Sequence, residues 1–331
     1  MHTRRWACFT FDNAAVTKHI YVYSPSGAVR DKAGFRRGVA RLKALGHDVE
    51  VDQDALSSHL RFAGDDDARL AAIHRAAASG ADIALISRGG YGLSRLLDKI
   101  DYPAVAKAVA GGMEWVGISD FTAFQLALLA KTGAITWAGP ALVEGFGALP
   151  APDDIMEDCF NDLLLRQGEG AGWRQSPVRK ITQADPAAAT ADALHLRNAT
   201  LWGGNLSMVV SLLGTAYLPT VKGGVLFLED IAEHPYRIER LLAQLLHSGV
   251  LDRQKAIVMG QFTGFTLTPH DRGFNLGSVV AWLRTQTRTP ILTNLPYGHV
   301  QTKVCLPVGA KVELLSEGRD ALIAWGHVRH Q

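Results

Sequence analysis

The segment Gly117-Ile118-Ser119-Asp120-Phe121-Thr122 puts an alcohol where an alcohol can become a nucleophile. A short β-prone run, Trp115 to Gly117, precedes it, and a long apolar segment rich in Ala and Leu, Ala123 to Ala130, follows. The spacing therefore predicts strand, tight turn and helix. Such a turn lifts a side chain clear of a sheet and holds its hydroxyl at the positive end of a helix, where a developing oxyanion is stabilised. This is the logic of a nucleophile elbow, although the residues depart from G-x-S-x-G. Without that chemistry, Ser119 and Asp120 read as ordinary helix N-caps.

A serine nucleophile needs a base within hydrogen-bond reach, and the base needs an acceptor to orient it. Of the twelve histidines, most sit in helices or polar loops, where a solvated ring is the default. His299 differs, because Leu295-Pro296-Tyr297-Gly298-His299 is a rigid loop just ahead of a strand. For the acid, Glu229 ends the apolar run Val225 to Leu228, and carboxylates at the end of a buried strand require partners. Asp230 and Glu233 are alternatives, as a helix cap or as a partner of Arg237. The resulting order, Ser then Glu then His, is one that α/β-hydrolases use, but the two halves of this chain do not make a single hydrolase sheet.

The elements that must position these residues alternate. His19 to Tyr23 reads as a strand ending in Ser24-Pro25-Ser26-Gly27. Gly34 to Leu45 reads as a helix with Phe35, Val39, Leu42 and Leu45 on one face, and Asp48 to Val51 as a second strand. Asp65, Asp66 and Asp67 suit the first turn of a helix through Ala78, and Ala81 to Ser87 is a strand apolar on both faces. It runs into Arg88-Gly89-Gly90-Tyr91-Gly92, whose glycines allow a sharp turn and close approach to a ligand. The loop lacks G-x-G-x-x-G and the P-loop lysine, so it reads as a tight turn, a weak phosphate cradle or half of an oxyanion hole. In a parallel sheet the Pro25-Ser26, Arg88 to Gly92 and Ser119 loops all fall at the carboxyl ends of strands, where ligands gather. The expected fold is an α/β doubly wound parallel-sheet domain followed by a mixed β/α domain. Residues 1–17 form an extension, 18–142 the first domain with the nucleophile, 143–190 a Pro- and Gly-punctuated linker with one helix, and 191–331 the second domain with the acid and base. The tail from Val304 to His327 reads as short strands with turns at Pro307, Gly309 and Gly318.

The 331 residues carry a net charge of +2 without blocks of like charge, which gives no electrostatic case for nucleic acid. Cys8, Cys159 and Cys305 are too few and too far apart for a disulfide framework or a zinc knuckle, and fit a reducing, cytoplasmic compartment. No segment is long and apolar enough to predict a membrane span, and no clustered ligands or H-E-x-x-H predict a metal. No cofactor is expected.

The stretches that carry a resemblance run from about residue 19 to 325. They are Ser24 to Gly27, Arg61-Phe62-Ala63-Gly64, Arg88 to Gly92 with Ser94 to Leu97, and Gly117 to Ala123, then Trp202-Gly203-Gly204-Asn205-Leu206, Leu228-Glu229-Asp230 with Glu233 to Arg237, and Gly298-His299 with Leu306-Pro307-Val308-Gly309. In their joint order the chain closely resembles the LD-carboxypeptidases, serine peptidases of bacterial cell-wall recycling. The resemblance implies a Ser119–Glu229–His299 triad in a groove between two domains. It also implies an oxyanion hole from the amide of Asp120 with one from Gly89 or Gly90, substrate contacts from Arg88 and Asn205, and a homodimer. The implied substrate is a murein tetrapeptide or muropeptide, cut between the L-centre of a diamino acid, usually meso-diaminopimelate, and a terminal D-alanine. Ala141 stands where the family usually has methionine. A related reading is a microcin C immunity-type hydrolase of acyl-adenylates, which would need an aromatic adenine site in the 143–190 region, where Trp173 is the only tryptophan. A third is a non-enzymatic nucleotide- or metabolite-binding module, which leaves Glu229 and His299 unexplained.

Overall fold

Five short strands alternate with helices through the first half of the chain. The computed structural model describes residues 17–177 and 193–328. The expected extension therefore lies almost wholly outside the described residues, as does the end of the expected linker. Strand β1 (His19–Tyr23) is followed by α1 (Lys32–Ala44), β2 (Asp48–Val51), α2 (Asp66–Ala78), β3 (Ile83–Ile86), α3 (Tyr102–Ala110), β4 (Glu114–Gly117), α4 (Phe121–Thr132) and β5 (Thr136–Ala138). Strands β1, β3, β4 and β5 are buried along nearly their whole length, whereas the edge strand β2 buries only Val49. The helices start where polar side chains satisfy their first amides: Asp31 accepts from Gly34 N and Asp65 from Ala68 N. All five strands run parallel in the order β2-β1-β3-β4-β5. The order reverses direction between β1 and β3, so the loops after those strands flank a crevice.

Helix α4 is apolar all round, and Phe121 through Leu128 are all buried, including Thr122 and Gln125. A helix with no solvated face must be covered on every side. One side lies on the first sheet; another meets the second sheet through Thr122 Oγ1, which accepts from Asn205 N at 3.0 Å.

The second half continues with α5 (Asp154–Leu165), β6 (Gly170–Arg174), β7 (Leu194–Asn205), α6 (Leu206–Ser211), β8 (Val225–Ile231), α7 (Pro235–His247), β9 (Ala256–Thr263), α8 (Leu276–Gln286), β10 (Ile291–Leu292), β11 (Leu306–Val308), β12 (Lys311–Glu317) and β13 (Asp320–Ala324). Seven of these strands form a mixed sheet, β10-β9-β8-β7-β12-β13-β6. The β7 to β10 part is parallel and the rest antiparallel.

Two strands depart from the sequence reading. Gly170–Arg174, inside the expected linker, is an edge strand paired with β13. Its alternation of exposed and buried residues is half hidden by three glycines in five positions before Trp173. Pro307, expected at a turn, lies inside β11, which joins the edge of the first sheet antiparallel to β5. A proline is tolerated there because an edge strand leaves one row of amides unpaired.

Candidate active site

Ser119 follows β4 directly and has φ +70°, a left-handed conformation that a serine adopts only at a cost of roughly 1–3 kcal/mol. The turn therefore holds the residue in a strained elbow at the start of α4. Neither Ser119 nor Asp120 uses its side chain to cap that helix. The Asp120 carboxyl instead turns back, accepting from Ser26 Oγ at 2.8 Å and Leu93 N at 2.9 Å. One buried carboxyl thus fastens the loops after β1 and β3 to the serine turn. Burial raises its pKa, against the opposing pull of the Leu93 amide, the Ser26 hydroxyl and the Arg69 guanidinium.

The glycine loop lies against the serine. A Cβ on Gly89 would stand 2.5 Å from Ser119 Cβ and 2.8 Å from its Oγ. Gly90 has φ +124°, and Gly27 N donates to Gly89 O at 3.2 Å, closing the β1 loop onto the β3 loop. The amides of Gly89, Gly90 and Asp120 have no hydrogen-bond partner among the described residues. The Arg61 to Gly64 stretch supports this loop from outside. Arg69, fully buried, stacks 4.7 Å over Phe62 and donates to Pro25 O at 3.1 Å, and a Cβ on Gly92 would collide with its guanidinium. Gly89→Ala is expected to push the serine off its position and lower turnover by about a hundredfold while the melting temperature moves little, because sub-ångström misplacement is costly. Steady-state kinetics beside a thermal melt checks this.

From the other sheet come the acid and the imidazole. Glu229 is fully buried at the end of β8, where the pairing with β9 shifts register between Leu228 and Asp230. Such an irregularity re-aims side chains, and here Glu229 and Asp230 are both buried although neighbours on one strand. His299 Nδ1 lies 2.8 Å from Glu229 Oε2, and Asn205 Nδ2 donates to Glu229 Oε1 at 3.2 Å. A carboxylate only accepts, so the Nδ1–H tautomer is the one this bond selects and Nε2 is left free. Gly298, at φ +143°, lets the loop pass close to Glu229 Cβ.

The other two carboxylates are occupied elsewhere. Asp230 accepts from Asn205 Nδ2, Ile231 N, and both the amide and hydroxyl of Ser207; burial raises its pKa. Glu233 is partly exposed and lies 3.8 Å from Arg237.

Ser119 and His299 face one cavity of about 510 Å³, lined also by Arg88, Gly89, Gly90, Glu144 and Lys303. No hydrogen bond joins Ser119 Oγ to His299; in free enzymes such bonds often tighten only around substrate. Arg88 lies on the cavity wall as expected, donating to Ala28 O and 3.7 Å from Glu144. Asn205, expected as a substrate contact, requires correction. It is not on the cavity wall, because its amide is consumed by Glu229 and Asp230 and its Oδ1 by the start of α6. Glu144 and Lys303 were not legible as site residues; the only signal was that Lys303 follows His299 by four positions in one loop. Among the described residues, no three His, Cys, Asp or Glu side chains are grouped so as to hold a metal ion.

An alcohol from one sheet and an acid-held imidazole from the other, lining one open cavity, are the equipment of a hydrolase. Family comparison narrows the class: residues 20–139 match the LD-carboxypeptidase N-terminal domain and residues 198–314 the LD-carboxypeptidase C-terminal domain. The chain belongs to the LD-carboxypeptidase family of peptidases. It is similar to the crystal structure of a muramoyltetrapeptide carboxypeptidase from Oxalobacter formigenes, with TM-score 0.80 and 36% identity over 93% of this chain and 98% of that one. A Bacillus subtilis protein named as a murein peptide carboxypeptidase is 29% identical over 288 residues, covering 86% of this chain and 85% of the relative. The Escherichia coli microcin C7 self-immunity protein is 28% identical over 250 residues, 71% of each chain.

Proposed function

We propose that the protein is a serine carboxypeptidase that removes the terminal D-alanine from murein tetrapeptide, cutting after the L-centre of a diamino acid such as meso-diaminopimelate. The observation that carries the reading is the 2.8 Å Glu229–His299 bond on the wall that faces Ser119 in its strained turn. The murein-peptide and muramoyltetrapeptide names of its relatives support the substrate.

In this mechanism Ser119 Oγ attacks the scissile carbonyl carbon and its proton passes to His299 Nε2. Glu229 keeps the ring in the required tautomer and stabilises the imidazolium. The amide of Asp120 and that of Gly89 or Gly90 receive the oxyanion. The C–N bond breaks, His299 returns the proton to the departing D-alanine amine, and water repeats the sequence on the acyl-enzyme. No step uses a metal or cofactor. The chain is expected to act in the cytoplasm, as its cysteine usage suggests, and as a homodimer, which sedimentation would test.

The microcin-immunity relative supports a second reading, hydrolysis of an acyl-adenylate. Trp173 does not serve it: the ring is buried on β6, donates to Thr293 O at 2.9 Å, and is absent from the cavity wall. Among the described residues no Phe, Tyr or Trp lines that wall, so none of them offers adenine a stacking face there.

The test is incubation with a diaminopimelate tetrapeptide ending in D-alanine and with its L-alanine epimer, followed by mass spectrometry. Release of alanine from the first alone, unaffected by EDTA, is the expected result. Activity lost in chelator and restored by zinc would overturn the serine mechanism.

A further inference from the structure

Lys303 is the one cavity residue whose environment the mechanism above leaves unexplained. It is 3% exposed, yet it lines the cavity that holds Ser119 and His299. Among the described residues its ammonium makes no hydrogen bond or ion pair. The other cation on the wall, Arg88, is already engaged by Ala28 O and Glu144. Its stem is buried, but Nζ is not among the enclosed unsatisfied polar atoms, so the ammonium opens on the cavity without a protein counter-charge, and in a low-dielectric cavity such a charge favours an anionic ligand. Burial lowers the Lys303 pKa, and Glu144 and Glu229 pull it back upward without touching it. The site is therefore short of one anion, and an anionic group entering the cavity would both pair with the ammonium and restore its charged form.

A carboxypeptidase has a specific need for such a group. The free carboxylate it must recognise is one residue beyond the scissile carbonyl, about 3.8 Å further along the chain. Its receptor must therefore share the nucleophile's cavity. We infer that Lys303 is that receptor: its ammonium pairs with the C-terminal carboxylate of the departing residue and so restricts cleavage to the end of the peptide. The inference rests on the peptide-hydrolase reading given above. Lys303 reaches the cavity from the His299 loop, so the same four-residue step that sets the base also sets the distance at which the chain end is measured. Glu144, on the same cavity wall and roughly half exposed, repels a carboxylate that enters in the wrong place.

The experiment compares two synthetic tetrapeptides, one ending in D-alanine and one in D-alaninamide, with wild type, Lys303→Met, Lys303→Gln and Arg88→Met. Wild type is expected to prefer the free acid by about a hundredfold in kcat/KM, the usual worth of a charge-assisted bond. Lys303→Met, which keeps the volume and removes the charge, should lower kcat/KM for the acid by about that factor, mostly through KM, and leave the amide within about threefold, so that the preference disappears. Arg88→Met should keep the preference. Lys303→Gln gives the same readout if the methionine variant does not fold. A wild type indifferent to amidation, a Lys303 variant that keeps the wild-type ratio, or a ratio that collapses in Arg88→Met instead overturns the assignment. Wild type that releases alanine from neither peptide overturns the hydrolase reading itself, a result distinct from the other three.

Discussion

Ser119→Ala is expected to bind the tetrapeptide as wild type does and to turn it over at least about a thousandfold more slowly, some 4 kcal/mol of barrier. The substitution removes a single oxygen from a residue whose hydroxyl has no hydrogen-bond partner among the described residues, so no bond among them is lost on the ground-state side. The strain at φ +70° remains, because alanine meets the same left-handed penalty as serine. What disappears is the acyl-enzyme route; the amides and the cavity still bind and polarise the peptide. Single-turnover kinetics with calorimetric binding separates the two quantities. Retention of a tenth of wild-type turnover excludes Ser119 as nucleophile.

Glu229→Gln should be nearly as severe, by roughly three to four orders of magnitude in kcat. The reason is donor arithmetic. Glu229 faces two N–H donors, His299 Nδ1 and Asn205 Nδ2, and offers an accepting oxygen to each. Glutamine has one oxygen and one NH2. Either the amide opposes Asn205, donor against donor in a fully buried site, or it opposes His299 and forces the proton onto Nε2, the nitrogen that must accept from Ser119. In both arrangements the charge that stabilises the imidazolium is gone, while the cavity wall keeps its shape and KM changes little. Glu233→Gln is the control: its carboxylate is partly exposed and 3.8 Å from a solvent-exposed Arg237, a screened surface pair of little worth, so activity should stay within about twofold. A larger loss at Glu233 would falsify the choice of carboxylate.

Much of this arrangement could be read from the chain. The β-α alternation is written in apolar runs separated by Gly and Asp, and Ser119 stands between a strand and a helix too apolar to have a solvated face. His299 was distinguishable only by its Pro- and Gly-stiffened loop and by the resemblance. Asn205 stands as a substrate contact only through the resemblance of its Trp202 to Leu206 stretch, whereas its amide donates to both Glu229 and Asp230; a motif names a residue type and not the partner its side chain meets. Lys303 was invisible for a different reason. A lysine between Val300 and Val304 reads as a solvated side chain, since nothing local states that the loop folds inward. Strand β6, and the pairing of β11 with the first sheet through Pro307, are not legible because edge strands are short and their partners lie far off in sequence: Gly170–Arg174 pairs with residues 320–324, and 306–308 with 136–138.

Those two edge strands make the halves interdependent. Residues 306–308 cross from the second half to close the first sheet, and 170–174, from the segment between the two sheets, close the edge of the second. A nick between residues 177 and 193 would give two pieces that each carry the other's border strand, and each piece alone would present an unpaired sheet edge of the kind that invites aggregation. Recombination between relatives faces the same constraint. A junction placed in that interval would transplant β6 with the wrong sheet and β11 with the wrong neighbour, so viable chimaeras require that both borders be exchanged together. The fold thus inherits its groove as one unit, with the loop bearing His299 and Lys303 anchored on β10 in one sheet and on β11 in the other.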